Sequence, residues 1–364
     1  MKSGRRVAKL LIYGANGYAG ALLARAAKAR GLKPVLAGRN GIEVGALAAA
    51  LKLESRIFTL NKISKSDLKG ISVVLHAAGP FSATAEPMMR ACLAQRVHYL
   101  DITGEIDVFA LADRLDRDAQ TAGIVLCPGV GFDVVPTDCL AALLKQALPS
   151  ASELLLAFEV GGGQSRGTAK TSIEVMKSGG LVRVQGALKR VPIAYKIADI
   201  PFSSKHVRRA MTIPWGDVYT AFVSTEIPNI EVYMAMPAAT IARFKRTRWM
   251  VPILSLKPAQ AWLKRRVDRR KINRYENGGP DESRRAASST YVYGRVRSAT
   301  HQCEARVQLP NGYDVTVDSA LSIAQFVLAG TDASGFATPS MLCGGEFLHA
   351  LAGAKVSIGR VKKL

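Results

Sequence analysis

The first 150 residues alternate short apolar runs with longer amphipathic stretches. Leu10-Leu11-Ile12-Tyr13 has the length of one buried strand. The chain then turns through Gly14-Ala15-Asn16-Gly17-Tyr18-Ala19-Gly20 into an alanine- and leucine-rich segment of helical periodicity. A second apolar run, Val35-Leu36-Ala37, ends at Gly38-Arg39-Asn40. The alternation continues with a helix over 41–53, strands at Ile57–Thr59 and Ile71–His76, and a helix over 83–95. Val97–Asp101 reads as a strand, 106–121 as one charged amphipathic helix, and Ile124–Leu126 as a strand. A helix follows from Pro136 to about Leu148. Repeated βα units of this length predict an α/β fold with a parallel, doubly wound sheet over residues 1–150.

From about Ala151 the pattern changes. Glu153–Val160, Leu181–Pro192, Val218–Val223 and Ile230–Met236 read as strands, and Thr168–Met176 as a helix. Tyr291–Arg297 and Cys303–Leu309 form an expected antiparallel pair before the turn Pro310-Asn311-Gly312. This predicts an α+β second domain with a mostly antiparallel sheet over 151–318. Asp318–Ala329 reads as a helix within a last segment, 319–364, in which residues 345–352 suit another.

Strand, glycine turn, helix and strand at the N-terminus are the first step of a dinucleotide-binding fold. A pyrophosphate rests on a helix N-terminus, held by backbone N–H groups and the helix dipole. A side chain at Gly14 would obstruct the turn, one at Gly17 would hold the backbone off the phosphates, and one at Gly20 would push the helix from the strand. The spacing is G-x-x-G-x-x-G, so the context of strands and helix carries the reading, against an ordinary glycine-rich turn without a ligand. An acid at the end of the second strand would suit NAD. Here Arg39 and Asn40 stand there, with no acid before Glu43, and a guanidinium suits a 2′-phosphate. NADP(H) is therefore the expected cofactor, with Arg39 otherwise a solvated loop residue.

The 364 residues carry a net charge of +22, with 48% apolar and 21% charged residues. This is a globular composition, and the charge permits polyanions, anionic lipid or acidic partners without indicating nucleic acid. Residues 1–9 hold no secretory signal, and no apolar run approaches a membrane span. Five scattered cysteines without metal-ligand spacing suit reduced thiols, so no metal is expected and the location read is cytoplasmic. The block Arg243–Arg274 holds twelve cations and Asp268 as its one acid, interleaved with Trp249, Trp262 and aliphatic residues. It is read either as solvated helix faces or as a peripheral membrane or acidic-partner contact.

Four stretches together resemble the saccharopine dehydrogenase-like oxidoreductases, including the bacterial trans-acting enoyl reductase branch: GANGYAG, HAAGPF at His76–Phe81, YLDITGE at Tyr99–Glu105 and GVGFDVVPTD at Gly129–Asp138. The likeness continues through Ile213–Tyr233, Gly278–Pro280, Gly312–Leu321 and Gly335–Met341. The resemblance implies a Rossmann domain, an inserted α+β domain, a C-terminal segment returning to the first domain, and bound NADP(H). It implies either reduction of a C=C bond in a lipid- or polyketide-like, carrier-bound substrate, or saccharopine-type C=N chemistry. A non-enzymatic NADP-binding docking protein is the third reading. The chain departs from the family at His76, where many relatives hold a small polar residue, and at Ser165–Thr168, which replaces a more glycine-rich run. A homodimer through the second sheet is left open.

Cofactor contacts are expected at Gly14, Asn16, Gly17, Tyr18, Gly20, Arg39, Asn40, Ala78, Gly79, Pro80 and Phe81. Gly79-Pro80-Phe81 would flank the nicotinamide or its ribose, or simply begin a helix. Tyr99 and Asp101 point the same way along one strand. They serve as proton donor and substrate-orienting acid, or Asp101 bonds N–H groups of the next turn. Asp133, in a loop between glycine and proline signals, is the first choice for a substrate-side acid. Glu105 is either a polar contact beside the cofactor or a first-turn helix acid, and Asp138 a first-turn helix acid. Arg166 and Lys170 could meet an anionic substrate group or be exposed helix charges. His206, His301 and His349 have no partners at catalytic or metal spacing.

Overall fold

Continuous apolar runs are required where both faces of a parallel sheet are covered. Every residue of β1 (Leu10–Tyr13) is buried, as that rule demands. In this computed structural model, which describes residues 9–163, 179–248 and 278–364, the chain continues through α1 (Tyr18–Ala29), β2 (Val35–Gly38), α2 (Gly41–Leu51), β3 (Ser55–Ile57), β4 (Val73–His76), α3 (Phe81–Gln95) and β5 (His98–Asp101). Then come α4 (Ile106–Arg114), α5 (Asp116–Ala122), β6 (Val125–Cys127), α6 (Val135–Ala147), β7 (Glu153–Val160), β8 (Gly180–Val184), β9 (Ala187–Val191), β10 (Ile197–Ser203) and β11 (His206–Thr212). The remainder includes α7 (Asp217–Thr225), β12 (Asn229–Ala235), α8 (Ala238–Thr247), β13 (Thr290–Arg297), β14 (His301–Leu309), α9 (Gly312–Ala329), β15 (Gly335–Phe336), β16 (Lys355–Ile358) and β17 (Lys362–Lys363).

The first unit comprises residues through Thr103, Asp107–Phe132 and Thr316–Leu342. Its seven strands run in the order β15-β6-β5-β4-β1-β2-β3, and every pairing is parallel. This is the expected doubly wound sheet. The chain moves outward from β1 through β2 to β3, then restarts at β4 on the other side of β1. That reversal is the topological switch point at which such sheets bind ligands. The expected helix over 106–121 is two helices, because Leu115 leaves helical geometry between them.

The second unit comprises Gly104–Ile106, Asp133–Val315 and Cys343–Leu364. Its ten-stranded sheet contains the path β10-β11-β12-β7-β13-β14-β16 and is antiparallel except at β12–β7. Leu181–Pro192 is a hairpin, with Gln185 and Gly186 in left-handed geometry at its turn. Val218–Val223 is not a strand but lies in α7. Val218, Ala221 and Thr225 are buried at helical spacing against α6, and this tertiary contact overrides the β-branched composition.

The expected boundaries at 150 and 318 also shift. Helix α6 belongs to the second unit, where a Cβ on Gly294 of β13 would lie 2.6 Å from Leu144 Cδ1. The tail after Leu342 joins it too, through β16 and β17 on β14. Of the C-terminal segment, Thr316–Leu342 belongs to the first unit, where Arg30 pairs with Asp318 at 2.5 Å. No described helix is long and apolar enough to cross a membrane. None of the five cysteines is in a disulfide.

The edge strand β15 is tied to α5 by one carboxylate. Asp116 Oδ1 accepts the Phe336 N–H at 2.7 Å, and Gly335 packs beside it at φ +98°. Asp116→Ala leaves that N–H unpaired and should cost about 1–3 kcal/mol, read as a lower Tm in thermal denaturation.

Candidate functional site

The N-terminal turn is built around contacts that only glycine permits. Gly14, at φ +84°, and Ala15 both donate to Ala37 O of β2, at 2.8 and 3.1 Å. A Cβ on Gly20 would lie 2.1 Å from Gly14 O, so α1 starts directly against the turn. A Cβ on Gly14 would lie 2.8 Å from the Ala78 Cβ, which places Ala78 beside it. Gly17 is the N-cap of α1, and no side chain caps that helix. A Cβ there would meet only Gly14 O, at 3.3 Å, and otherwise open space. An uncapped helix start with open space before it fits a bound pyrophosphate.

The neighbouring strand ends border this turn. Thr84 Oγ1 donates to Ala78 O at 2.7 Å, which holds the loop into α3, where Gly79 is exposed, Pro80 is the N-cap and Phe81 is buried. Arg39 is exposed at the end of β2, close enough to Tyr13 to oppose the rise that burial imposes on the phenol. Asn40 caps α2, accepting the Glu43 N–H at 3.3 Å. Asn16 Nδ2 donates to Glu43 Oε2 at 2.7 Å. His76 is wholly buried among the rings of Tyr13, Phe81 and Tyr99. Neither of its ring nitrogens has a hydrogen-bond partner, and burial pushes it down to about 3, so it is neutral.

Tyr99 and Asp101 come together, but away from solvent. The Tyr99 hydroxyl donates to Asp101 Oδ2 at 2.7 Å. Asp101 Oδ1 accepts the N–H groups of Thr103 and Gly129, both at 2.9 Å. Both side chains are fully buried. This is the turn-holding alternative for Asp101.

The second unit gathers carboxyl groups instead. Asp133 is half-buried, and burial followed by the Glu105 charge raises it to about 7. A Cβ on Gly104 would lie 3.3 Å from Asp133 Oδ2, so bare backbone makes room for the carboxyl. Trp215 Nε1 donates to Asp133 O at 2.7 Å, and its ring packs on Phe158 at 4.9 Å. Asp138 is buried and accepts from Ser224 Oγ at 2.7 Å. Asp217, at the start of α7, is fully buried and neither carboxyl oxygen has a well-formed hydrogen bond. Burial above all, with Asp138 and Asp133 adding, holds it well above the usual carboxylate range, against the opposing Thr137 hydroxyl.

Asp133 stands out in the sequence, whereas Trp215 and Asp217 do not; both lie just before Val218–Val223, the segment that reads as a strand. Their signal was Pro214-Trp215-Gly216-Asp217, a turn followed by a first-turn acid. Arg166 and Lys170 lie outside the described residues. Among the described residues no group of histidine, cysteine or carboxylate ligands could hold a metal.

Residues 10–126 match the family model of the saccharopine dehydrogenase NADP binding domain. That stretch is a saccharopine dehydrogenase NADP-binding domain. Its cofactor is NADP(H), and the glycine turn and Arg39 are the candidates that would hold it. A Mycobacterium tuberculosis protein that carries the name trans-acting enoyl reductase is 30% identical over 187 residues, spanning 46% of this chain and 44% of its own length. The human saccharopine dehydrogenase-like oxidoreductase is 26% identical over 160 residues, 38% of this chain and 37% of its own. The chain thus spans less than half the length of these relatives. Apo saccharopine dehydrogenase (L-Glu forming) from Saccharomyces cerevisiae superposes over 98% of this chain and 100% of its own, with a TM-score of 0.65 at 10% identity, which establishes a shared fold.

Two glycines should separate binding from folding. Gly17→Val should weaken NADPH binding at least about tenfold with little change in Tm, since the open space is on the ligand side. Gly20→Val should instead lower stability by about 3 kcal/mol or more, because the clash is with backbone. Fluorescence titration and thermal denaturation distinguish them.

Asp217 makes stability depend on pH. A carboxyl raised on folding contributes fully below its unfolded value near 3.9, and that contribution is lost as pH rises through the folded value. Asp217→Asn removes the loss. Its Tm should exceed the wild type's by at least about 2 °C at pH 8, with the gap closing towards pH 4.

Proposed function

We propose that this chain is an NADP(H)-dependent reductase acting on the C=C bond of an enoyl, lipid- or polyketide-like substrate, with Asp133 as the proton donor. The observation that carries the reading is an aspartic acid poised near neutrality by burial and by Glu105. Its backbone is held by the Trp215 indole and its carboxyl lies against the bare backbone of Gly104. NADPH held at the glycine turn and Arg39 would supply the hydride chemistry. Asp133 holds a proton for the substrate, and it is present as the acid up to about pH 7. The name of the Mycobacterium tuberculosis relative supports the enoyl substrate.

A C=N substrate is the second reading. It is favoured by the accumulation of Glu105, Asp133, Asp138 and Asp217 in one unit, since a protonated imine would compensate carboxylates that burial otherwise penalises. Arg243–Arg274 is the stretch we assign to an anionic membrane or acidic carrier that delivers the substrate. Of it, residues 243–248 are described, with Arg243, Lys245, Arg246 and Arg248 exposed at and beyond the end of α8.

Loss of NADPH absorbance with enoyl-thioesters and with imines decides between the substrates. On the substrate that turns over, wild-type kcat should fall as pH rises through about 7. Asp133→Asn should lower kcat by about 10²–10⁴-fold with NADPH affinity unchanged. Retained kcat in that variant would remove Asp133 as the donor.

A further inference from the structure

At the end of β2 an acid and a base compete for the same end of the nucleotide. Arg39 follows directly on the last residue of that strand and is exposed. Glu43 lies four residues further on, in the first turn of α2. Asn40 and Glu43 have the spacing of a capping box, in which the acid reaches back to the N-cap N–H. Only half of that box forms. The Glu43 N–H donates to Asn40 Oδ1, but the carboxylate is bonded to Asn16 Nδ2, at 2.7 Å, in the glycine turn. Asn16 Oδ1 in turn lies 3.1 Å from where a Gly38 Cβ would stand. The amide therefore lies over the end of β2 and draws the Glu43 carboxylate across it.

That is where an acid accepts the ribose hydroxyls in NAD-binding folds. We infer that Glu43 is a cofactor-specificity residue that opposes Arg39, so that the first unit discriminates weakly between NADPH and NADH. Arg39 attracts a 2′-phosphate through charge-assisted bonds. Glu43 repels that phosphate and accepts a free 2′-hydroxyl in its absence. Asn16 limits the repulsion by fixing the carboxylate on the turn. The inference rests on the cofactor site assigned above.

Fluorescence titration with NADPH and with NADH, on the wild type, Glu43→Gln, Glu43→Ala and Arg39→Ala, tests it. The wild type should bind both nucleotides. Glu43→Gln keeps the side-chain length and should tighten NADPH about two- to fivefold while weakening NADH, raising the NADPH-to-NADH preference about tenfold. Glu43→Ala should shift the preference the same way, and Arg39→Ala the opposite way. A merely structural Glu43 would move both affinities together. An unchanged preference in both Glu43 variants, with nucleotide still bound, overturns the specificity role alone. A wild type that binds neither nucleotide overturns the cofactor site beneath it.

Discussion

Asp101 is the carboxyl group on which the loops beyond the parallel sheet depend. It has no solvent contact, yet it holds the Tyr99 hydroxyl and two backbone N–H groups from separate loops. Its own backbone oxygen accepts the Val130 N–H at 2.7 Å. Removing a buried acceptor with several partners leaves each of them unmet at the full desolvation penalty. The loops after β5 and β6 are thereby fixed at their first residues. One runs on within two residues of Thr103 to Glu105, and the other within four of Gly129 to Asp133.

The acids of the second unit are not arranged for stability. A buried carboxyl group without a well-formed hydrogen bond is costly, and carboxyls that neighbour one another cannot all ionise. Arg183, a buried arginine in the same unit, does not compensate them. Its guanidinium donates to Val218 O and Gly186 O and lies 4.0 Å from the Phe222 ring centroid. Asp217 therefore stays protonated where an exposed aspartate would have ionised. Destabilised groups of this kind concentrate where a site needs a perturbed acid. For Asp133 the cause is burial first and the Glu105 charge second, and both cost folding free energy where its carboxyl would otherwise ionise.

The parallel sheet was legible because both of its faces are covered. Val73–His76 must then be apolar at almost every position, and such runs are visible without any partner. The glycine turn was legible because Gly14 and Gly20 leave no room for a side chain, which fixes the spacing of the motif. Helix α7 was not legible, since Val218-Tyr219-Thr220-Ala221-Phe222-Val223 is strand-like in composition and becomes helical by packing on α6. Asp217 was hidden with it. Tyr99 and Asp101 could be placed on one face of β5, but their partners, Thr103 and Gly129, come from different loops and only the fold brings them together. Asp133 could be chosen from its loop, whereas its shift depends on burial first and then on Glu105, 28 positions away in the chain.

The spacing of the glycines bears on the cofactor as well as on the turn. In G-x-G-x-x-G a single residue separates the first two glycines. Here two do, and they have opposite fates. Ala15 is buried and its N–H is spent on Ala37 O. Asn16, the added residue, stands exposed and reaches the first turn of α2. With the shorter spacing there would be no side chain at that point to take the Glu43 carboxylate out of its capping box. The longer turn and the diverted acid are therefore one feature. It couples the phosphate cradle at Gly17 to the strand end that reads the ribose, through one hydrogen bond 27 residues apart in sequence.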